Sequence, residues 1–476
     1  MTTVITRFPP SPTGAMHVGT AKTALMNYLF AKKSSGKIIL RWEDTDHARS
    51  KKEYEREMFE GLEWLGFIFD EIYHQSERAL IYKKYVGKMI ADGNAYLSEE
   101  SQTATLSEFA ENDESDTLSD SPQKVVRFKN PNKIVTFTDL VRGEISVDTT
   151  ELGDFVIARS IEEPLYHLAV VIDDFEMGIT HVIRGEDGIY NTPRQILIQE
   201  AIGAPRPVYA HFPFILGKDK SKLSKRNGSV PVSKYREQGI LPAALINYLA
   251  LLGWNPGTDQ EIFTLKELTD CFDLSLIQKS GGIFDEEKLI WFNREHIKRL
   301  SLPDFKKYLF PYLPQSVLSM PQWSEERFSR FLPELRERIS VLTDIGKLVT
   351  EGELDYIFSE PKYEGLKLLP KESSAKSTHG KKEALITART IDHHLSHILS
   401  LLEKQDEKIF DKKIIKDLIW DYADKEGRGA VLWPLRFALS GRDKSPDPFV
   451  LCEILGKEES LKRIRYGIEL IKENLA

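Results

Sequence analysis

Arg7-Phe-Pro-Pro-Ser-Pro-Thr-Gly-Ala-Met-His-Val-Gly-Thr20 is the stretch that decides the fold. Ahead of it, Val4 and Ile5 read as a short buried strand. The prolines and Gly14 then break regular structure, and from Val18 apolar residues fall at Ala21, Ala24, Leu25, Tyr28 and Leu29, the spacing of a helix face. The unit is strand, tight loop, helix. A helix N-terminus carries unpaired backbone N–H groups and the positive end of its dipole, which suits phosphate. His17 can donate a hydrogen bond to a phosphoryl oxygen, and Gly19 lets a large planar ligand approach the backbone. A loop histidine that only caps its own helix is the plainer alternative.

Working outward, residues 37–42 read as a buried strand that ends in Glu43-Asp-Thr-Asp46. Carboxylates just past the carboxyl end of a central strand sit where open α/β sheets bind ligands, and Glu43 is placed to hold an ammonium group. Ser50 and Glu53 have capping-box spacing, and the helix they open carries Met58, Leu62 and Leu65 inward. A further helix is expected over residues 77–91. From Tyr96 to about His167 the composition shifts: residues 98–123 are rich in Ser, Thr, Asp and Glu, as in an exposed, partly mobile segment, and short strand-like runs follow at 124–128, 134–137, 143–147 and 155–157. Residues 180–187 read as a strand delivering Arg184, Glu186 and Asp187 to its carboxyl end, with Thr192-Pro-Arg-Gln195 as a capped helix start. Behind an apolar strand at 208–216, Gly217-Lys-Asp-Lys-Ser-Lys-Leu-Ser-Lys-Arg-Asn-Gly228 is by composition a solvated basic loop. Beyond Pro231 the pattern is mostly helical, with a second capping box at Thr264 and Glu267 and a polar, basic linker near 371–382.

A chain of 476 residues exceeds one core, so two to four domains are expected. Cys271 and Cys452, the two cysteines, give no disulfide framework and fit a reducing compartment. No signal-like N-terminus and no apolar run long enough for a bilayer are visible, so a cytoplasmic location is expected. The net charge of −8 is the wrong sign for an indiscriminate nucleic-acid binder but leaves room for local basic surfaces.

His17-Val-Gly-Thr20 resembles the HIGH signature of class I aminoacyl-tRNA synthetases, and Ser11-Pro-Thr-Gly14 around it has the glutamyl-tRNA synthetase form. Lys222-Leu-Ser-Lys-Arg226 is similar to the KMSKS signature of the same class, and the two in this order are far more specific than either alone. Leu432-Trp-Pro-Leu-Arg-Phe-Ala-Leu-Ser-Gly441 resembles a segment of the C-terminal bundle of the bacterial glutamyl enzymes, so the resemblance spans nearly the whole chain. It implies an α/β fold: a class I Rossmann-type catalytic domain with an acceptor-end insertion, followed by all-α anticodon-binding domains. On that reading, residues 1–95 and 168–230 are the catalytic halves and 96–167 the insertion, 231–300 a stem-contact linking domain, and 301–372 and 373–476 two helical anticodon-binding bundles.

The resemblance further implies a monomeric ligase that joins L-glutamate, through ATP with Mg²⁺, to tRNA(Glu), with tRNA(Gln) left open as a second acceptor. It assigns catalysis to His17, Lys225 and Lys222, and glutamate binding to Arg7, Ser11, Glu43, Tyr166 and Arg184. ATP would meet Pro10, His17, Gly19, Thr20, Asp187, Lys222, Ser224 and Lys225. The chemistry agrees, because arginines offer paired planar donors to carboxylates and Glu43 suits the ammonium. Which arginine meets which carboxylate stays open. Some relatives have Asn at Val170, and some carry zinc-binding cysteines after the matching Ala-Tyr; here Ala95-Tyr-Leu-Ser-Glu99 has no such ligand, and no structural zinc is expected. His393 and His397, four apart, lack supporting ligands and are not taken as a metal site. The glutaminyl enzymes usually end in β-barrels, which the helical tail here argues against. A nucleotidyltransferase without an RNA partner leaves residues 264–476 without a role. Replacing Lys225 by alanine is expected to slow adenylate formation by roughly two to three orders of magnitude with little effect on folding, as a denaturation curve run beside the kinetics would show.

Overall fold

The structure is a computed structural model that describes residues 3–46, 48–100, 123–223, 230–369 and 387–473. Most of the acidic stretch at 98–123, Ser224 and Lys225 of the basic loop, and the 371–382 linker lie outside the described residues.

Strands buried at nearly every position need cover on both faces, which parallel sheets with helical crossovers provide. β1 (Ile5–Phe8), β2 (Lys37–Trp42) and β3 (Glu71–His74) pair in parallel in the order β1-β2-β3, with α1 (Val18–Lys33) and α2 (Lys52–Trp64) as crossovers. After α3 (Ala79–Ala91), β4 (Ala95–Glu100), β5 (Gln123–Phe128) and β8 (Phe155–Ala158) form an antiparallel sheet. β6 (Ile134–Asp139) and β7 (Gly143–Asp148) form an antiparallel pair that adds to β9 (His181–Gly185) and β10 (Val208–Phe212), giving the order β7-β6-β10-β9. α4 (Tyr166–Glu176) precedes β9, and α5 (Thr192–Ile202) crosses from β9 to β10. The all-parallel sheet and this mixed one meet at β1 and β9: Thr180 N–H donates to the Ile5 carbonyl at 3.0 Å, and Ile5 N–H donates to Thr180 Oγ1 at 2.8 Å. The chain leaves β1 toward β2 and β3 on one side and returns to β9 on the other. That junction is a topological switch point, where open α/β sheets bind ligands.

One apolar core joins these layers, with Ile39, Tyr82, Val126, Phe137, Ile157, Ile172, Ile196 and Tyr209 all buried in it. Residues 96–167 therefore share their core with the strands before and after them. α6 (Val232–Glu237), α7 (Pro242–Leu251), α8 (Leu265–Cys271) and α9 (Glu286–Arg299) follow. Residues 1–296 form one compact unit and 297–476 a second. The second unit is helical throughout its described residues. Inside it, buried Arg463 donates to the carbonyls of Leu439 at 2.7 Å and Ser359 at 2.8 Å and to Gln322 Oε1 at 3.1 Å, so one side chain ties three separate segments. His394 shares a hydrogen bond with the Tyr422 hydroxyl at 2.7 Å, and the His397 ring lies 4.1 Å from that of Tyr422.

Two local expectations need correction. α2 starts after Lys51 with no side-chain cap, and the buried Ser50 hydroxyl has no hydrogen-bond partner among the described residues. The Lys51 N–H is bonded instead to the Pro12 carbonyl at 3.1 Å, so a tertiary tie, not a capping box, sets the helix start. Thr192 is likewise no cap: a 3₁₀ turn over Glu186–Asn191 runs directly into α5, and the Thr192 hydroxyl accepts from Arg184 at 2.8 Å. The box at Thr264 and Glu267 does form, with both reciprocal bonds present. Gly36 sits where β2 enters beside β1, and a Cβ there would lie 2.1 Å from the Val4 carbonyl oxygen. Gly36→Ala is expected to cost about 3 kcal/mol by forcing the two strands apart, measurable as a lower urea midpoint.

Candidate active site

Charged residues inside apolar strands must find partners, because an unpaired buried charge is costly. Arg7 on β1 and Arg41 on β2 are both fully buried, and both reach Asp174 near the end of α4. Arg41 Nη1 donates to Asp174 Oδ1 at 2.7 Å, while Arg7 Nε donates to the same oxygen at 3.3 Å. Burial raises the Asp174 carboxyl, but Arg7 and Arg41 more than offset it and hold it below the usual carboxylate range. Burial pulls the Arg7 guanidinium below its ordinary value despite Asp174. Asp173, next in line, takes hydrogen bonds from Gln75 at 2.8 Å, Arg78 at 2.7 Å and Tyr82 at 2.9 Å.

Glu43, at the carboxyl end of β2, is buried against Arg41, whose Nη2 lies 3.3 Å from Glu43 Oε1. Its backbone N–H donates to the Pro10 carbonyl at 3.0 Å, which fastens the loop after β1 to the end of β2. Burial, only partly countered by Arg41 and Arg7, pushes the Glu43 carboxyl up to about 7. Tyr166, first residue of α4, is half-exposed and lies within electrostatic range of Glu43, Arg184 and Arg7. Arg184 on β9 is buried, and its Nη1 has no hydrogen-bond partner among the described residues. The switch point thus gathers Arg7, Glu43, Tyr166 and Arg184, with Pro10 fixed beside them. Ser11 is exposed on the same loop. Val170, by contrast, is buried.

At the entrance of α1, His17 does cap its own helix: Nδ1 accepts the N–H groups of Gly19 at 3.1 Å and Thr20 at 3.3 Å. The neutral ring then carries its proton on Nε2, which lies 3.2 Å from Thr20 Oγ1. Gly19 has a nearer reason than ligand access, since a Cβ there would lie 3.0 Å from His17 Cε1. The backbone of His17 pairs with that of Pro231, and Val232 N–H donates to the Met16 carbonyl at 2.8 Å. The histidine loop is therefore tied to the residues that follow the basic loop. Lys222, within that loop, lies 3.5 Å from Asp187 Oδ2 and 3.9 Å from the centre of the Phe214 ring.

Sequence reasoning passed over Arg41, Asp173, Asp174 and Lys22. For the first three, a charge beside an unbroken apolar stretch was the available signal. Lys22 is buried in α1, with Nζ donating to the Leu252 carbonyl at 2.6 Å. Burial, opposed by Glu186, pushes its ammonium down to about 8. Among the described residues no three His, Cys, Asp or Glu side chains gather to hold a metal ion, and no helix is long and apolar enough to cross a membrane.

Residues 3–291 match the family of class I tRNA synthetases (E and Q), catalytic domain, the class that this fold and site define, and residues 304–468 match an anticodon binding domain. The chain is similar to a glutamate–tRNA ligase of Carboxydothermus hydrogenoformans, 38% identical with 96% of this chain and 98% of that one covered. A glutamate–tRNA ligase of Aquifex aeolicus is 39% identical, with 98% and 99% covered. A solved glutamate tRNA ligase from Elizabethkingia meningosepticum, in complex with its amino acid, superposes with a TM-score of 0.76 at 31% identity, covering 99% of this chain and 100% of that one. The chain belongs to the glutamate–tRNA ligase family.

A carboxyl held near 7 must ionise before it can pair with an ammonium. The KM for glutamate in tRNA glutamylation is accordingly expected to fall about tenfold as pH rises from about 6 to about 8, following the ionised fraction of Glu43. Glu43→Gln should raise that KM and remove its pH dependence.

Proposed function

We propose that the chain is a glutamate–tRNA ligase that activates L-glutamate with Mg²⁺-bound ATP and passes the glutamyl group to the 3′ end of tRNA(Glu), acting as a monomer in the cytoplasm. One observation carries the reading: among the described residues the buried Nη1 of Arg184 lacks a partner, in a site that also holds Arg7 and Glu43. Two cations and one anion match the two carboxylates and one ammonium of glutamate.

An oxygen of the glutamate α-carboxylate attacks the α-phosphorus of ATP, the P–O bond to the β-phosphate breaks, and pyrophosphate leaves with the electron pair. A terminal ribose hydroxyl of the tRNA then attacks the glutamyl carbonyl and expels AMP. His17 meets the growing charge on the α-phosphate with its Nε2 proton, the tautomer that its Nδ1 contacts favour. The N-terminus of α1, with Gly19 and Thr20, supplies backbone dipole to the same charge. Lys225, supported by Lys222 and Ser224, neutralises the pyrophosphate, while Pro10 and Asp187 border the nucleotide. Arg7, Ser11, Tyr166 and Arg184 hold the carboxylates and Glu43 the ammonium. Residues 96–167 take the acceptor end, 231–300 the stem, and the helices of 301–372 and 373–476 the anticodon.

The experiment offers purified tRNA(Glu) and tRNA(Gln) transcripts side by side with labelled glutamate, ATP and Mg²⁺. Charging of tRNA(Glu) is expected. Charging of both would define a relaxed anticodon reader, and charging of neither would overturn the proposal.

A further inference from the structure

Three side chains stand in a row behind the unpartnered end of Arg184. Arg184 on β9 and His211 on β10 are register partners, and Asp139 ends β6 on the other side of β10. All three are buried. Asp139 Oδ1 accepts the backbone N–H groups of Val141 and Arg142, each at 2.9 Å, and of His211 at 3.3 Å. Its Oδ2 accepts from His211 Nδ1 at 2.6 Å. Burial raises this carboxyl, but the imidazole and backbone donors more than offset it and keep it ionised. An ionised carboxylate can only accept, so the His211 proton sits on Nδ1 and Nε2 is left as the acceptor. Nε2 receives Arg184 Nε–H at 3.0 Å. Arg184 Nη2 donates to the Gly188 carbonyl at 3.0 Å and to Thr192 Oγ1 at 2.8 Å. Three of the five guanidinium N–H bonds are thereby consumed, and the plane of the group is set.

We propose that Asp139 and His211 are positioning residues for the amino-acid substrate: the aspartate selects one imidazole tautomer, and that tautomer holds Arg184 so that its Nη1 N–H groups meet a substrate carboxylate. This rests on the reading of Arg184 as a carboxylate ligand. It makes β6, within residues 96–167, a contributor to the glutamate site through a chain of three hydrogen-bonded groups. A merely structural triad would hold β6, β10 and β9 together without regard to tautomer.

The test is steady-state glutamylation of tRNA(Glu) by the full-length chain, with glutamate and ATP varied in turn. In Asp139→Asn the amide oxygen can keep the backbone bonds while its NH₂ faces His211 Nδ1. The imidazole proton must then move to Nε2, against the Nε–H of Arg184. Expected is a rise in glutamate KM of roughly 10- to 100-fold with ATP KM within about threefold. His211→Gln keeps an acceptor for Arg184 and should stay within about fivefold of wild type, whereas His211→Leu should match the asparagine variant. This pair carries the test if the Asp139 variant does not fold. Arg184→Gln should raise glutamate KM, and adding Asp139→Asn to it should raise it no further. Wild-type glutamate KM in Asp139→Asn, with Arg184→Gln impaired, overturns the positioning role and leaves Arg184 as a ligand. Equal rises in glutamate and ATP KM, or glutamine and leucine at 211 behaving alike, reduce the triad to a structural one. Wild-type glutamate KM in Arg184→Gln removes the carboxylate reading and the proposal with it.

Discussion

Asp174 holds Arg7 and Arg41 at once, and the geometry of the switch point depends on that clamp. Two guanidinium groups side by side in an apolar interior would repel and lose their hydration. A carboxylate between them offsets both costs, and Asp173 and Glu43 complete the balance around Arg41. Such a cluster contributes little net stability compared with a well-packed apolar one. Its effect is specificity of arrangement: breaking one pair leaves an uncompensated charge, so β1, β2 and α4 have one relative placement at this point. Burial pushes the Glu43 carboxyl up to about 7, and Arg41, already shared with Asp174, only partly counters it.

A second constraint operates at the entrance of α1. The plain reading of His17 as a helix cap and the reading as a phosphate ligand stood as alternatives, yet the geometry makes them compatible. Capping through Nδ1 fixes the ring and leaves the proton on Nε2, which is the form able to donate to an oxyanion. Gly19 permits the close packing of ring on backbone that this requires. A cap of this kind is preorganisation, achieved before any substrate arrives.

Periodicity and turn chemistry carried most strands and most helices of the first unit, because buried parallel strands and amphipathic helices write themselves into local sequence. β3 and β4 were not foreseen, since Glu71–His74 is short and half-polar and Ala95–Glu100 has no clear apolar face. Ser50 and Thr192 show the limit of local signals: each has the right residue type at the right spacing, but the bond from Lys51 to the distant Pro12 sets the start of α2, and Thr192 is taken up by Arg184 and the 3₁₀ turn just before it. At Thr264 the local signal holds, and both bonds of the box form.

The sequence by itself determined the order of elements, the nucleotide-type loop with His17, the basic loop with Lys222, and the kinds of charge the site would present. Those follow from local pattern and from motifs that survive without their surroundings. Which charge pairs with which was decided only in three dimensions. Arg7 and Asp174 are 167 residues apart, and Arg41 and Asp174 are 133 apart, so no spacing rule connects them. Their pairing, like that of Asp139 with His211 and of Lys22 with Leu252, follows from sheet order and burial. A buried ion takes the partner that the fold brings within reach, and the fold is a property of the whole chain.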